Sequence, residues 1–188
     1  MKTVPIQNLR GNVETLLKYK NPNQKLSCGE AIQQLLDKAA EMFPKWQGQN
    51  SNTFMEAFNR IAGQGGYVAE IFPDMSHAGG TVDGDAFASL DPKHGARPAK
   101  VYLHPFQYYT TPNNAMAQLH YAYTGLHETF HLAARGGYSD EDMARVVFAL
   151  TGAKGLPPDS MKDQMPWSDY WNNYLQKHCM PKYLSEIK

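Results

Sequence analysis

Two histidines four residues apart, in the stretch His127-Glu128-Thr129-Phe130-His131, constrain the fold more than any other feature of the chain. Residues four apart in an α-helix lie on one face, so both imidazoles can reach one ion if this stretch is helical. Small and apolar residues bracket it, among them Gly125, Leu126 and Leu132. The pattern therefore predicts a buried helix over 113–134 with a metal-binding pair near its C-terminal end.

Capping signals place further helices on both sides of this one. Ser27 with Glu30 forms a capping box that opens a helix ended by Pro44, and Ser139 with Asp142 forms a second box. Residues 1–26 are expected to be a short helical or irregular lead-in. Apolar spacing adds a helix over 53–62, extends the helix after Ser139 to 150, and predicts a last helix from 168 onward.

The middle of the chain has a different pattern. Short segments at 65–72, 81–90 and 99–104 are separated by Gly, Pro and Asp, which is typical of a small, mostly antiparallel sheet. We therefore expect an α+β fold in which helices pack on this sheet and the histidine-bearing helix lies in the core. The length of 188 residues suits a single domain over 1–188.

Composition narrows the classes of partner. Apolar residues make up 42% of the chain, as in globular proteins, and Lys+Arg equals Asp+Glu at 18 each. A balanced charge argues against a broad basic face for nucleic acid. No apolar run approaches the roughly 20 residues that cross a bilayer, and the first residues carry no apolar leader. We expect neither a nucleic-acid partner nor a membrane, and a compartment that is cytoplasmic unless a leader has been removed.

The two cysteines, Cys28 and Cys179, leave two interpretations open. They are either two separate buried thiols, or a disulfide that ties the helix after Ser27 to the last helix. A disulfide would favour a secreted or periplasmic protein, whereas free thiols would favour the cytoplasm.

The residue types around His127 suit zinc chemistry. Zn²⁺ prefers nitrogen ligands at neutral pH, and a catalytic site keeps one position open for water. Glu128 follows the first histidine, where a carboxylate can take a proton from that water and pass it to a leaving group. We therefore expect His127 and His131 to be metal ligands and Glu128 to be the general base.

The stretch 126–133 resembles the active-site helix of the zincin metallopeptidases. The wider pattern, in which Gly136, Gly137, Tyr138, Ser139 and Asp140 precede a helix, is similar to uncharacterised bacterial metallopeptidase-like domains. The resemblance covers roughly 100–144. It implies a zincin-like fold and zinc chemistry, but no particular substrate.

The third ligand departs from the family patterns. Metzincins have a glycine and a histidine where this chain has Ala134 and Gly137, and the carboxylate that gluzincins place about 20 residues on is missing from 148–151. Gly136 and Gly137 interrupt the helical pattern and permit a sharp turn back over the metal. Asp140 is the first acid after this turn and is therefore the preferred third ligand. Glu141 is the next choice. The remaining candidates are Asp142, Asp159, Asp163, Asp169 and His178. Acids at 140–142 would also suit the first turn of a helix without any metal.

Zincins bind an extended peptide along the edge strand of their sheet, and the resemblance assigns that edge to 99–104. A peptide or protein is thus the expected substrate. Tyr138 could stabilise the oxyanion or simply pack. Two alternatives stay open: a non-catalytic binding domain braced by zinc, and a toxin-like metallohydrolase with one dedicated target.

Overall fold

The structure, a computed structural model, describes residues 2–3, 6–43, 53–63, 67–69, 86–89, 100–103, 115–133, 139–152 and 167–187. Within them lie the helices α1 (Ile6–Lys18), α2 (Cys28–Met42), α3 (Phe54–Gly63), α4 (Ala115–Ala133), α5 (Asp140–Thr151) and α6 (Trp167–Cys179), then a 3₁₀ turn at Leu184–Glu186. The strands are β1 (Lys2–Thr3), β2 (Tyr67–Ala69), β3 (Ala86–Ser89) and β4 (Lys100–Leu103).

The expected α+β class is wrong, because the fold is helical. The helices run from 10 to 19 residues, whereas the strand segments have two to four. Helices therefore make up most of the described residues, and strands only a small part. The core cluster is instead drawn from all six helices, with Val101 of β4 at its side. Glycine, proline and β-prone residues indicate short strand segments, but the fold class depends on packing between distant parts of the chain, which no local pattern encodes.

The expected substrate edge at 99–104 is also wrong for its described part, 100–103. The strand order is β1-β2-β4-β3, so β4 is hydrogen-bonded on both sides. It pairs parallel to β2 and antiparallel to β3, with Tyr102 opposite both Val68 and Phe87. A strand paired on both sides has no free backbone groups with which to bind a peptide.

Both predicted capping boxes are confirmed. The Ser27 hydroxyl accepts from the amide of Glu30, whose carboxylate accepts from the amide of Ser27, and Ser139 and Asp142 are joined in the same way. Each box satisfies amide groups that the first turn of a helix leaves without a partner. Gly152 ends α5 with a φ of 62°, a left-handed conformation that glycine adopts without strain.

Helix α4, which carries the two histidines, is held in the interior by α1. Gly125 permits this close packing, because a Cβ there would lie 3.3 Å from Leu9 of α1. Leu126, Thr129 and Phe130 are all fully buried, and the Thr129 hydroxyl donates to the carbonyl of Gly125 over 2.6 Å. The histidine-bearing segment is therefore a rigid, fully helical part of the core.

Cys28 and Cys179 form a disulfide, with their Cα atoms 4.6 Å apart. The bond joins the first residue of α2 to the last residue of α6, and both cysteines are fully buried. One end of α6 is thereby fixed covalently to the helical core. Within the described residues, no helix is both long and apolar enough to cross a membrane.

Removing the disulfide should lower the free energy of unfolding. The bond closes a loop of 151 residues, and loop-closure entropy sets an upper contribution of about 5 kcal/mol. A Cys28→Ala/Cys179→Ala variant should therefore unfold at a clearly lower urea concentration than oxidised wild type. Reduced wild type keeps both sulfur atoms. Comparing it with the double-alanine variant therefore separates the effect of the crosslink from the effect of cysteine packing. Equal midpoints for all three forms would contradict this prediction.

Candidate metal centre

Three side chains from two helices meet at the C-terminal part of α4. His127 and His131 project from successive turns of α4, and Asp140 is the first residue of α5. Their potential ligand atoms all lie within 4.8 Å of one another. The structure thus brings together the three residues that the sequence analysis selected as metal ligands.

The spacing is close to what a metal ion requires. A tetrahedral zinc ion with bonds of about 2.0–2.2 Å separates its donor atoms by roughly 3.3–3.6 Å. Nε2 of His131 lies 3.3 Å from Oδ1 of Asp140. The centroids of the His127 and His131 rings are 5.3 Å apart at an interplanar angle of 67°. Small side-chain rotations would bring all three donors to one ion.

One side of the cluster is open to solvent. The Asp140 side chain is 34% exposed, compared with 15% for His131. His127 is partly buried, and Phe130 on the same turn is fully buried. An ion held by the three side chains would therefore face solvent on the Asp140 side, where water or a substrate group can approach.

The acids in the first turn of α5 have separate roles. Asp140 faces His131, whereas the carboxylate of Glu141 pairs with Arg145 over 2.9 Å. Asp142 belongs to the capping box with Ser139. Among these three acids, the geometry therefore favours Asp140 and not Glu141 as the third ligand.

Trp171 of α6 contacts all three residues of the cluster. Its indole nitrogen donates to Oδ1 of Asp140 over 2.7 Å. Its ring stacks on His127, with centroids 4.1 Å apart, and meets His131 edge-on at 5.1 Å. Trp171 is fully buried, and this single side chain contacts all three candidate ligands.

A second set of contacts reaches His127 from the residue after Trp171. Nδ1 of His127 lies 3.2 Å from Oδ1 of Asn172. The Tyr123 hydroxyl donates to the same oxygen and lies 3.4 Å from the Asn172 backbone carbonyl. Burial raises the pKa of Tyr123, so its phenol stays protonated and remains a donor at neutral pH.

The charges of the cluster follow from burial and from the neighbouring groups. Burial lowers the pKa of His127 to about 3, and repulsion from His131 acts in the same direction. Burial alone would raise the pKa of Asp140, but hydrogen bonds from His131 and Trp171 outweigh it and lower the pKa. A neutral imidazole beside an ionised carboxylate is the state in which both groups bind a metal.

The other predicted site residues have different outcomes. Glu128 lies beside His127 on α4 and is partly buried. Tyr138 and the two glycines before it are outside the described residues, as are Asp159 and Asp163. Asp169 is exposed, and His178 is buried against Tyr174, with ring centroids 4.9 Å apart. Neither belongs to the cluster formed by His127 and its partners.

Sequence reasoning missed the contribution of α6. The sequence predicts a last helix from 168 onward, but the candidate site residues drawn from it include neither Trp171 nor Asn172. The only available signal was an amide next to a tryptophan on an amphipathic helix, and this is too common to indicate a site.

The metal-free protein should lose stability in acid through His127. Between pH 6.5 and about 3 the unfolded histidine binds a proton that the folded one does not. Stability should therefore fall as the pH is lowered through this window, with a slope of at most about 1.4 kcal/mol per pH unit from this group. Asp140, whose pKa is lowered, acts in the same direction at lower pH.

Urea unfolding at several pH values, with a chelator present, measures this dependence. His127→Gln should flatten it, whereas His120→Gln, at an exposed position of α4, should leave it as in wild type. An unchanged slope in His127→Gln would show that His127 is not the group responsible.

Comparison with protein-family models, with curated proteins and with solved structures gives no match.

Proposed function

We propose that the chain is a zinc-dependent hydrolase that cleaves peptide bonds. His127, His131 and Asp140 are the proposed ligands. The observation that supports this most strongly is the convergence of their donor atoms within 4.8 Å, from two different helices. A chance pair of surface histidines on an ordinary helix would not be expected to meet a carboxylate from a second helix.

The donor set fits zinc. Two imidazole nitrogens and one carboxylate, with an open side, are typical of catalytic zinc sites, where the ion activates water and polarises a carbonyl. Non-haem iron uses the same donors. Glu128 favours zinc hydrolysis, since a carboxylate next to the first histidine is the base that such hydrolysis requires.

Glu128 would move the proton. As general base it takes a proton from the attacking water and then delivers it to the departing amine. As the residue directly after His127 on α4, it would hold its carboxylate beside the cluster. Tyr138, which is outside the described residues, is the proposed donor to the oxyanion.

A peptide or protein substrate follows from the resemblance of 126–133 to the zincin active-site helix. We also propose an oxidising compartment, secreted or periplasmic, because a fully buried disulfide joins α2 to α6. Structural disulfides persist outside the reducing cytoplasm. The proposal involves neither nucleic acid nor a membrane.

Asp140→Ala should reduce zinc affinity by orders of magnitude. The change removes the anionic donor from a three-residue site, while the α5 cap at Ser139 and Asp142 stays intact. Affinity can be measured by competition with a chromogenic chelator, and the metal content of the purified protein by mass spectrometry for zinc and iron. We expect about one zinc per chain.

Glu141→Ala is the matched control, because Glu141 is the neighbouring acid and pairs with Arg145. It should bind zinc as wild type does. Equal affinity in wild type and Asp140→Ala would remove Asp140 from the site, and iron in place of zinc would reject the proposed hydrolysis.

Glu128→Gln should bind zinc normally and lose turnover by about 10²–10⁴-fold, because glutamine keeps the shape but accepts no proton. The measurement is cleavage of a random peptide library by the zinc-loaded protein. If wild type binds zinc, gains thermal stability from it and cleaves nothing, a zinc-braced binding domain is the better description. Wild-type turnover in Glu128→Gln would exclude Glu128 as the base.

A further inference from the structure

We infer that Asn172 is a positioning residue of the metal centre: its side-chain oxygen, held by Tyr123, keeps His127 with the proton on Nδ1 and directs Nε2 to the metal. This inference rests on the proposed function for the identity of the metal. The orientation of His127 can be tested without any metal.

The hydrogen bonds determine which nitrogen carries the proton. The carboxamide oxygen of Asn172 only accepts, and it faces both Nδ1 of His127 at 3.2 Å and the Tyr123 hydroxyl. Two donors can share one carbonyl oxygen because it has two lone pairs. His127 must therefore donate from Nδ1, which leaves the lone pair on Nε2 for a metal.

Trp171 alone could not fix this orientation. It stacks on His127 with a 28° interplanar angle, and stacking determines the plane of the imidazole. A half-turn of the ring about its bond to Cβ preserves that plane but places Cδ2 where Nδ1 was and Cε1 where Nε2 was. The hydrogen bond to Asn172 distinguishes the two orientations.

Asn172 and the buried Trp171 contact the same part of the cluster from one helix. Trp171 and Asn172 are consecutive on α6, a helix that supplies no candidate ligand to the cluster. One contacts Asp140 and the face of His127, and the other contacts the edge of His127. Partners of this kind commonly contribute 10–100-fold to metal affinity.

The test combines a metal-free and a metal-bound measurement on the full chain. Long-range ¹H–¹⁵N NMR of histidine-labelled, metal-free protein at pH 7 reports which nitrogen of His127 is protonated. Chelator competition with Zn²⁺ reports affinity. Wild type should show the Nδ1–H form. Asn172→Leu, which removes the acceptor, should lose that preference and bind zinc about 10–100-fold more weakly.

Two further variants keep the test decisive if Asn172→Leu folds poorly. Asn172→Asp retains an accepting oxygen and should keep both the Nδ1–H form and the affinity for zinc. Tyr123→Phe removes only a hydroxyl and should weaken binding less than Asn172→Leu does. Gln176→Leu, the same kind of change at an exposed position of α6, is the matched control and should match wild type.

The outcomes separate this inference from the proposed function. An Nε2–H form in wild type, or unchanged tautomer and affinity in Asn172→Leu, would overturn the positioning role even if zinc binds tightly. If wild type binds no zinc while the tautomer responds as expected, the positioning role is supported and the zinc hydrolase is rejected.

Discussion

The hydrogen bond from the Trp171 indole to Asp140 joins α6 to α5 at the candidate metal centre. The donor is fully buried in α6, and the acceptor is the first residue of α5. The same ring lies against His127 and His131 of α4. Three helices therefore meet on one rigid aromatic side chain. A buried indole needs a partner for its N–H, and the carboxylate that satisfies it is also the candidate third ligand.

Helix α6 is held against the cluster by contacts that lie outside the cluster. Cys179 at its end is bonded to Cys28 of α2. Leu175, which lies between Trp171 and Cys179 on α6, is fully buried. Asn21, between α1 and α2, donates to the backbone carbonyl of Lys177 near the same end. The covalent link and the packing orient the face that carries Trp171 towards α4 and α5, so the crosslink supports the cluster without contacting it.

The protonation states of two groups in the cluster, His127 and Asp140, depend on burial and on the neighbouring side chains. His127 loses its charge in the folded protein because desolvation and a second histidine disfavour it. Asp140 keeps its charge because donors from His131 and Trp171 outweigh desolvation. A neutral nitrogen donor and an anionic oxygen donor are thus ready for a cation. Such an arrangement is expensive to maintain without a function, since an apolar replacement of similar volume often costs nothing.

The sequence by itself determined the helices from α2 onward and the local part of the site, but left residues 1–26, which contain α1, as helical or irregular. Ser27, Ser139 and Gly152 mark helix ends through interactions with near neighbours, and His127 and His131 share a face because of helical geometry alone. Only the tertiary structure decided that the fold is helical and that Asp140, not Glu141, faces the histidines. It also decided that Trp171, Asn172 and Tyr123 surround His127. These contacts span 31 to 49 residues, and their formation depends on helix packing and on the disulfide, neither of which leaves a periodic signal in the chain.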